Sequence, residues 1–294
     1  MIKRILLFVF TNIAVLLVLS VVAQLLGVNA YLAAHGESLT GLLVWASLFG
    51  FGGAFVSLAM SKMQAKMFMG VQVIAPQSAD ANAQWLLSVV EHHARNVGVR
   101  MPEVGIFDSP EPNAFATGMS RNSSLVAVST GLMQRMSRQE IEAVLGHEMT
   151  HVANGDMVTL ALIQGVLNTF VMFLARIIGG LIDGAFSGNR DDDRGGGIGY
   201  FLIVMLLQTV LGVLATLIVM WFSRWREFRA DAGGAQLGGR QNMISALQAL
   251  SGHNDSTLPK AFQAFGISGE QGVSRLFMSH PPVEERIAAL RAIS

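Results

Sequence analysis

Four long apolar stretches, roughly Ile5 to Val28, Gly41 to Met60, Met157 to Ile182 and Gly195 to Ser223, constrain this chain more than any other feature. Each is long enough to cross ~30 Å of hydrocarbon as a helix, and a helix closes its backbone hydrogen bonds within itself where no water can do so. Composition agrees, with 52% hydrophobic and only 14% charged residues and a mean hydropathy of +0.49. The first stretch exceeds a signal-peptide core, and no clear small-residue cleavage site precedes the next apolar run, which predicts an uncleaved anchor. The third carries Arg176, which divides its uncharged part from a short Gly-rich remainder and leaves a full crossing open.

Charge sets the expected topology. Lys3 and Arg4 precede the first stretch, the loop from about Asn29 to Thr40 has no Lys or Arg, and Lys62 and Lys66 follow the second. The positive-inside rule therefore puts both ends of this hairpin in the cytoplasm. Arg190 and Arg194 cast a weak opposing vote in the next loop, beside Asp191, Asp192 and Asp193. With four crossings, Ser61 to Asp156 and Arg224 to Ser294 fall on one side and together suffice for one ordinary domain. The expected division is an N-terminal transmembrane hairpin over 1–60, a first polar part over 61–156, a second hydrophobic hairpin over 157–223 and a second polar part over 224–294.

Chemistry concentrates at the end of the first polar part, in His147-Glu148-Met149-Thr150-His151. Residues four apart share a helix face, so His147 and His151 can offer ring nitrogens to one ion. Glu148, about 100° around the helix, can reach an activated water without ligating, which suits a general base. Ser137 and Glu140 have capping-box spacing, and Ile141, Val144 and Leu145 follow with helical period, so the motif falls on a helix. A catalytic Zn²⁺ needs a third protein ligand and an open corner. Glu227 fits as that ligand. Asp231, four residues on, would accept a hydrogen bond from the free ring nitrogen of His147 and fix its tautomer. The competing reading pairs Glu227 and Asp231 with Arg226 or Arg229 on a solvated face. Peptide hydrolysis through Glu148 and Zn²⁺, without a covalent intermediate, is the chemistry this set implies.

The remainder of the polar parts reads as α+β. Trp85, Leu86, Val89 and Val90 form an apolar face on a helix over Asn82 to Val97, with His92 and His93 expected in ordinary surface roles. Glu103 to Phe107 and Ser124 to Ser129 have strand composition and bracket Asn113-Ala114-Phe115-Ala116. That middle segment is the expected substrate platform, binding unfolded chains as an added strand through main-chain bonds that ignore side-chain identity. A final helix is expected to begin near Val283, with Arg286 packing it onto the domain. The chain has no cysteine, which excludes disulfides and thiolate metal sites, and its net charge of zero offers no nucleic-acid footprint. A non-enzymatic receptor or transporter holding a structural or transported metal ranks second. A structural zinc would close its fourth corner and a transporter would place its ligands mid-membrane.

Taken together, the two hydrophobic hairpins, HEMTH followed by Asp156, EFRAD at 227–231 and His280-Pro281-Pro282 resemble the HtpX-type membrane zinc metalloproteases, more distantly related to the prenyl-protein CAAX proteases. The resemblance covers nearly the whole chain. It implies a polytopic membrane protein with a gluzincin-like domain, one Zn²⁺ per chain, and ATP-independent cleavage of unfolded or damaged membrane proteins. It also implies a bacterial inner-membrane location with the site facing the cytoplasm, and brings His280 near the cleft, either to stabilise the developing oxyanion or as a structural residue before the final helix. The oligomeric state is left open.

Overall fold

Ser38 accepts the Gly41 amide on its Oγ at 3.0 Å and opens helix α1 (Leu39–Phe68). The computed structural model describes residues 38–187, 198–251 and 279–293, with single positions at 17, 20, 21 and 24. The first apolar stretch, Ile5 to Val28, thus lies outside the described residues save for those positions. The other three stretches lie in α1, α5 (Asp156–Ser187) and α6 (Ile198–Gly238), each long and apolar enough to cross a membrane.

The chain forms two compact units: Met1–Val56 with Ala161–Val219, and Ser57–Leu160 with Met220–Ser294. In the first, Leu39, Leu42 and Ala46 of α1 pack against Phe173 and Ile177 of α5. Arg176 stacks its guanidinium 3.7 Å from the centre of the Trp45 ring, so α5 carries this charge on an aromatic face and runs on to Ser187. Phe201, Leu206, Val210, Leu214 and Ile218 of α6 are exposed, as expected of a helix whose surroundings are as apolar as itself.

The second unit is built around a four-stranded sheet. Its strands are β1 (Gln72–Val73), β2 (Glu103–Phe107), β3 (Ala114–Ser120) and β4 (Ser123–Ser129), in the order β1-β2-β4-β3. β2 and β4 are parallel, with Val104 opposite Val126, while β3 runs antiparallel to β4, with Ala116 also opposite Val126. Alternation sends side chains to two faces. Val104, Ala114, Ala116, Val126 and Val128 meet α2 (Ala81–Val97) and α4 (Arg138–Asn154) through Leu86, Val90, Leu145 and Met149. Phe107, Phe115, Leu125 and Ala127 meet Ala65 of α1 and Val71 on the other face.

α4 is the centre of this unit and its ends follow from local chemistry. The Ser137–Glu140 capping box is formed, and Gly155 stops the helix in the left-handed region at φ 66°, where a Cβ would be strained. The expected surface role of His93 is wrong. Its ring is buried on α2, and Nε2–H donates to the Glu142 carbonyl of α4 at 3.1 Å, with burial holding its pKa below the ordinary value. Periodicity placed His93 near the apolar face, but only the α2–α4 contact closes over it.

Candidate metal centre

Within α4, the i, i+4 spacing puts His147 and His151 side by side and both are buried, with their Nε2 atoms 3.1 Å apart. The third donor comes from α6. That helix does not end with its apolar part: it continues beyond Ser223 into the second unit and brings Glu227 and Asp231 to α4. Close approach is possible because the facing positions are glycines. A Cβ on Gly234 would lie 3.0 Å from the Ala143 carbonyl oxygen and the His147 amide, and one on Gly238 would lie 2.5 Å from Ala143 Cα.

Glu227 is fully buried, which removes the solvated ion-pair reading of this segment. Its Oε1 lies 3.3 Å from His151 Nε2, and its Oε2 lies 3.4 Å from His147 Nε2. Four ligands at ~2.0–2.1 Å from a tetrahedral ion are separated by about 3.3 Å. The three observed separations match that edge length. The other ring nitrogens lie beside carboxylates: His151 Nδ1 is hydrogen-bonded to Asp156 Oδ2 at 2.7 Å, and His147 Nδ1 is 3.0 Å from Asp231 Oδ1, close but not aligned as a hydrogen bond. Protons therefore belong on both Nδ1 atoms, which leaves two Nε2 lone pairs and a carboxylate facing one point. Glu227 Oε1 is buried and has no hydrogen-bond donor among the described residues. Such a set calls for positive charge at that point, from a metal ion or from protons on the rings, and these three residues are the described group able to hold a metal ion.

The electrostatics express the same demand. Burial alone would lower the His147 pKa, yet Asp231 and Glu227 outweigh it and raise it to about 9. His151 moves the same way, with burial opposed by Glu227 and Asp156. Glu227 lies beyond the apolar part of α6; burial would raise its carboxyl, but His280, His151 and His147 hold it well below the ordinary value. A metal ion binding here displaces protons that the pocket otherwise retains.

Glu148 points into the same buried region without joining the ligand set. Burial raises its carboxyl, opposed by the charges of His147 and His151. A carboxyl so raised can accept a proton and return it nearer neutral pH. His280, just before Pro281 and Pro282, donates from Nδ1 to Glu227 Oε2 at 2.7 Å. Its Nε2 is buried and free of hydrogen bonds among the described residues. Arg286 of α8 (Val283–Ala292) binds Asp231 through Nε and Nη2 at 2.7 and 2.6 Å.

The substrate segment divides. Asn113 accepts the Ser129 amide at 2.8 Å and donates its own to Ser129 Oγ at 2.9 Å, so Asn113 pairs with the neighbouring strand. In an antiparallel ladder hydrogen-bonding residues alternate. Phe115 therefore also turns its main chain to β4, and its ring is buried beside Phe107. Ala114 and Ala116 alone turn their N–H and C=O groups away from β4, on what is the edge strand of the sheet.

Residue chemistry by itself did not single out Asp156, which entered only through the family resemblance, nor the pairing of Asp231 with Arg286, nor the close-packed glycines. An acidic residue five positions after His151, directly past a helix-ending glycine, was the available signal for the first.

Comparison with known proteins bears on the whole chain. The profile of Peptidase family M48 matches residues 80–294. The chain is similar to Protease HtpX of Xanthomonas euvesicatoria pv. vesicatoria (strain 85-10), at 58% identity over 297 residues, covering 100% of this chain and 99% of that relative. Protease HtpX of Xanthomonas oryzae pv. oryzae (strain MAFF 311018) is 58% identical over 295 residues, covering 99% and 98%. The crystal structure of S. mikatae Ste24p shares the fold with a TM-score of 0.61 at 20% identity, covering 97% of this chain and 67% of that one. With the profile spanning all of the site and its relatives aligned from end to end, the chain belongs to peptidase family M48 and is a membrane metallopeptidase.

Proposed function

We propose that this enzyme holds Zn²⁺ on His147, His151 and Glu227 and cleaves unfolded or damaged membrane proteins from the cytoplasmic face of a bacterial inner membrane. The observation that carries the reading is the trio of buried donors at tetrahedral edge spacing with Glu148 beside them. An all-nitrogen-and-oxygen set without thiolate, with three protein ligands, suits catalytic zinc. When bound, the ion polarises the scissile carbonyl and makes water acidic enough to be deprotonated near neutral pH.

The chain's own groups supply the rest. Glu148 takes the proton from the attacking water and delivers it to the departing amine. His280, held by Glu227 at Nδ1, would in its doubly protonated form donate Nε2–H to the oxygen that gains charge. Ala114 and Ala116 pair with the peptide main chain, which explains how many sequences can be accepted. Asp231 and Asp156 fix the ring orientations of the two histidines. The Lys3, Arg4, Lys62 and Lys66 asymmetry supports the cytoplasmic orientation. The partners under this reading are the lipid bilayer and polypeptide substrates, with no nucleic acid.

The test is degradation of casein and of an unfolded membrane protein by the detergent-purified chain, wild type against Glu148→Gln, with bound metal identified and counted in both. A variant that keeps one zinc per chain and loses about 10²–10⁴-fold of the activity supports the assignment. Equal activity in the two proteins would remove Glu148 from its role, and a wild type holding zinc but inert on every substrate would remove the substrate reading.

A further inference from the structure

Arg226 immediately precedes the carboxylate ligand on α6, and its side chain is 10% exposed. Its Nε lies 3.8 Å from Glu227 Oε1, the oxygen that faces His151. His280 and Arg286 both approach the other oxygen, Oε2, at 2.7 and 3.7 Å. The Arg226 guanidinium therefore approaches the carboxylate by way of the oxygen that those two residues leave alone.

The two arginines near this carboxylate differ in how they are satisfied. Arg286 spends two nitrogens on Asp231. The Arg226 Nε is buried and has no hydrogen-bond acceptor among the described residues, since 3.8 Å exceeds hydrogen-bond range. A guanidinium carries its N–H donors in a rigid fork that matches a carboxylate. Leaving the buried Nε–H without an acceptor is costly. Beside a hydrolytic centre, the acceptor that offsets this cost arrives with the substrate. Peptides bring carbonyls and carboxylates, and the charge-assisted, bidentate match is with carboxylate.

We propose that Arg226 is a specificity-determining residue, which takes a carboxylate of the bound peptide near the scissile bond and disfavours a lysine or arginine at that subsite. The inference rests on the peptidase reading above and assigns a substrate preference to the same site. The carboxylate belongs either to an acidic side chain or to a nearby free C-terminus, two sources with one chemistry.

Matched fluorogenic peptides separate them. One series carries Asp, Asn or Lys at each of the positions flanking the cleaved bond; the other has a free or an amidated C-terminus. Wild type, Arg226→Gln and Arg226→Lys are compared as full-length detergent-purified chains, with bound metal and thermal unfolding measured in each. The expected result is a kcat/KM for the carboxylate peptide about tenfold or more above its neutral counterpart, with the lysine peptide lowest. Arg226→Gln should bring the three within about twofold of one another per bound metal, and Arg226→Lys should keep the order with a smaller spread. The series showing the spread identifies the carboxylate's source. Wild type cutting all peptides alike overturns this proposal alone, as does discrimination that survives in Arg226→Gln. A wild type that cuts none overturns the peptidase reading and this proposal together.

Discussion

Replacing Arg286 by methionine will destabilise the polar unit through a carboxylate left behind. Arg286 is 1% exposed and Asp231 is equally buried, and their two hydrogen bonds measure 2.6 and 2.7 Å. Removing one partner of a buried pair typically costs about 3–5 kcal/mol, because the other charge is stranded. A second figure comes from the carboxyl itself. Burial raises it, but Arg286 and His147 outweigh burial and bring it from 3.8 to about 2, which by linkage is on the order of 2 kcal/mol at neutral pH. The first figure is the one expected for Arg286→Met, since the second measures only ionisation within the intact pair. Thermal unfolding should fall by on the order of 10 °C for a unit of this size, measured in detergent on a Glu148→Gln background to prevent self-digestion. Because the folded pKa is depressed, the stabilisation is present above about pH 4 and is lost as pH falls towards about 2. The gap between wild type and variant should therefore narrow over that window. Asp231→Asn and the double variant complete the cycle, with a coupling of about 1 kcal/mol or more expected. A coupling near zero, or a gap that holds at pH 3, would refute the reasoning.

Four other outcomes follow from particular positions. Gly238→Ala should destabilise by about 1–3 kcal/mol in thermal unfolding, since its Cβ would lie 2.5 Å from Ala143 Cα and overpacking outweighs the gain in helix propensity. Gly212→Ala, where a new Cβ meets nothing within 4 Å, should be neutral or mildly stabilising by the same assay. Ala116→Pro removes a donor that faces the free edge and spares the β4 ladder, so peptide cleavage should fall while metal content and far-ultraviolet dichroism stay unchanged; undiminished cleavage would move the docking edge elsewhere. Asp156→Ala frees the His151 ring, and competition with a metallochromic chelator should show metal affinity about 10–100-fold weaker.

Much of this protein was legible along the chain because the relevant physics is local. The apolar runs and their charge flanks, the Ser137–Glu140 capping box and the His147–His151 spacing each depend on neighbours within a few turns. The strands at Glu103–Phe107 and Ser123–Ser129 appear within a residue of where their composition places them. Glu227 and Asp231 could be chosen as partners because they share a helix face, although spacing could not show whether that face was buried.

Tertiary structure decided what depends on residues distant in sequence. His93 belongs to the interior because α4 covers it, and only Ala114 and Ala116 of the Asn113–Ala116 segment face the free edge because pairing with β4 sets the parity. Arg286 meets Asp231 across 55 residues of chain, and the glycines of α6 acquire their purpose only where that helix crosses α4. Sequence alone determined the long apolar helices among the described residues, the helix that carries His147 and His151, and the donors that could meet there, since period and composition act over short range. The tertiary structure decided that Asp156 holds His151, that Arg286 holds Asp231 and which main-chain groups remain free, because close approach and strand parity arise only when distant segments meet.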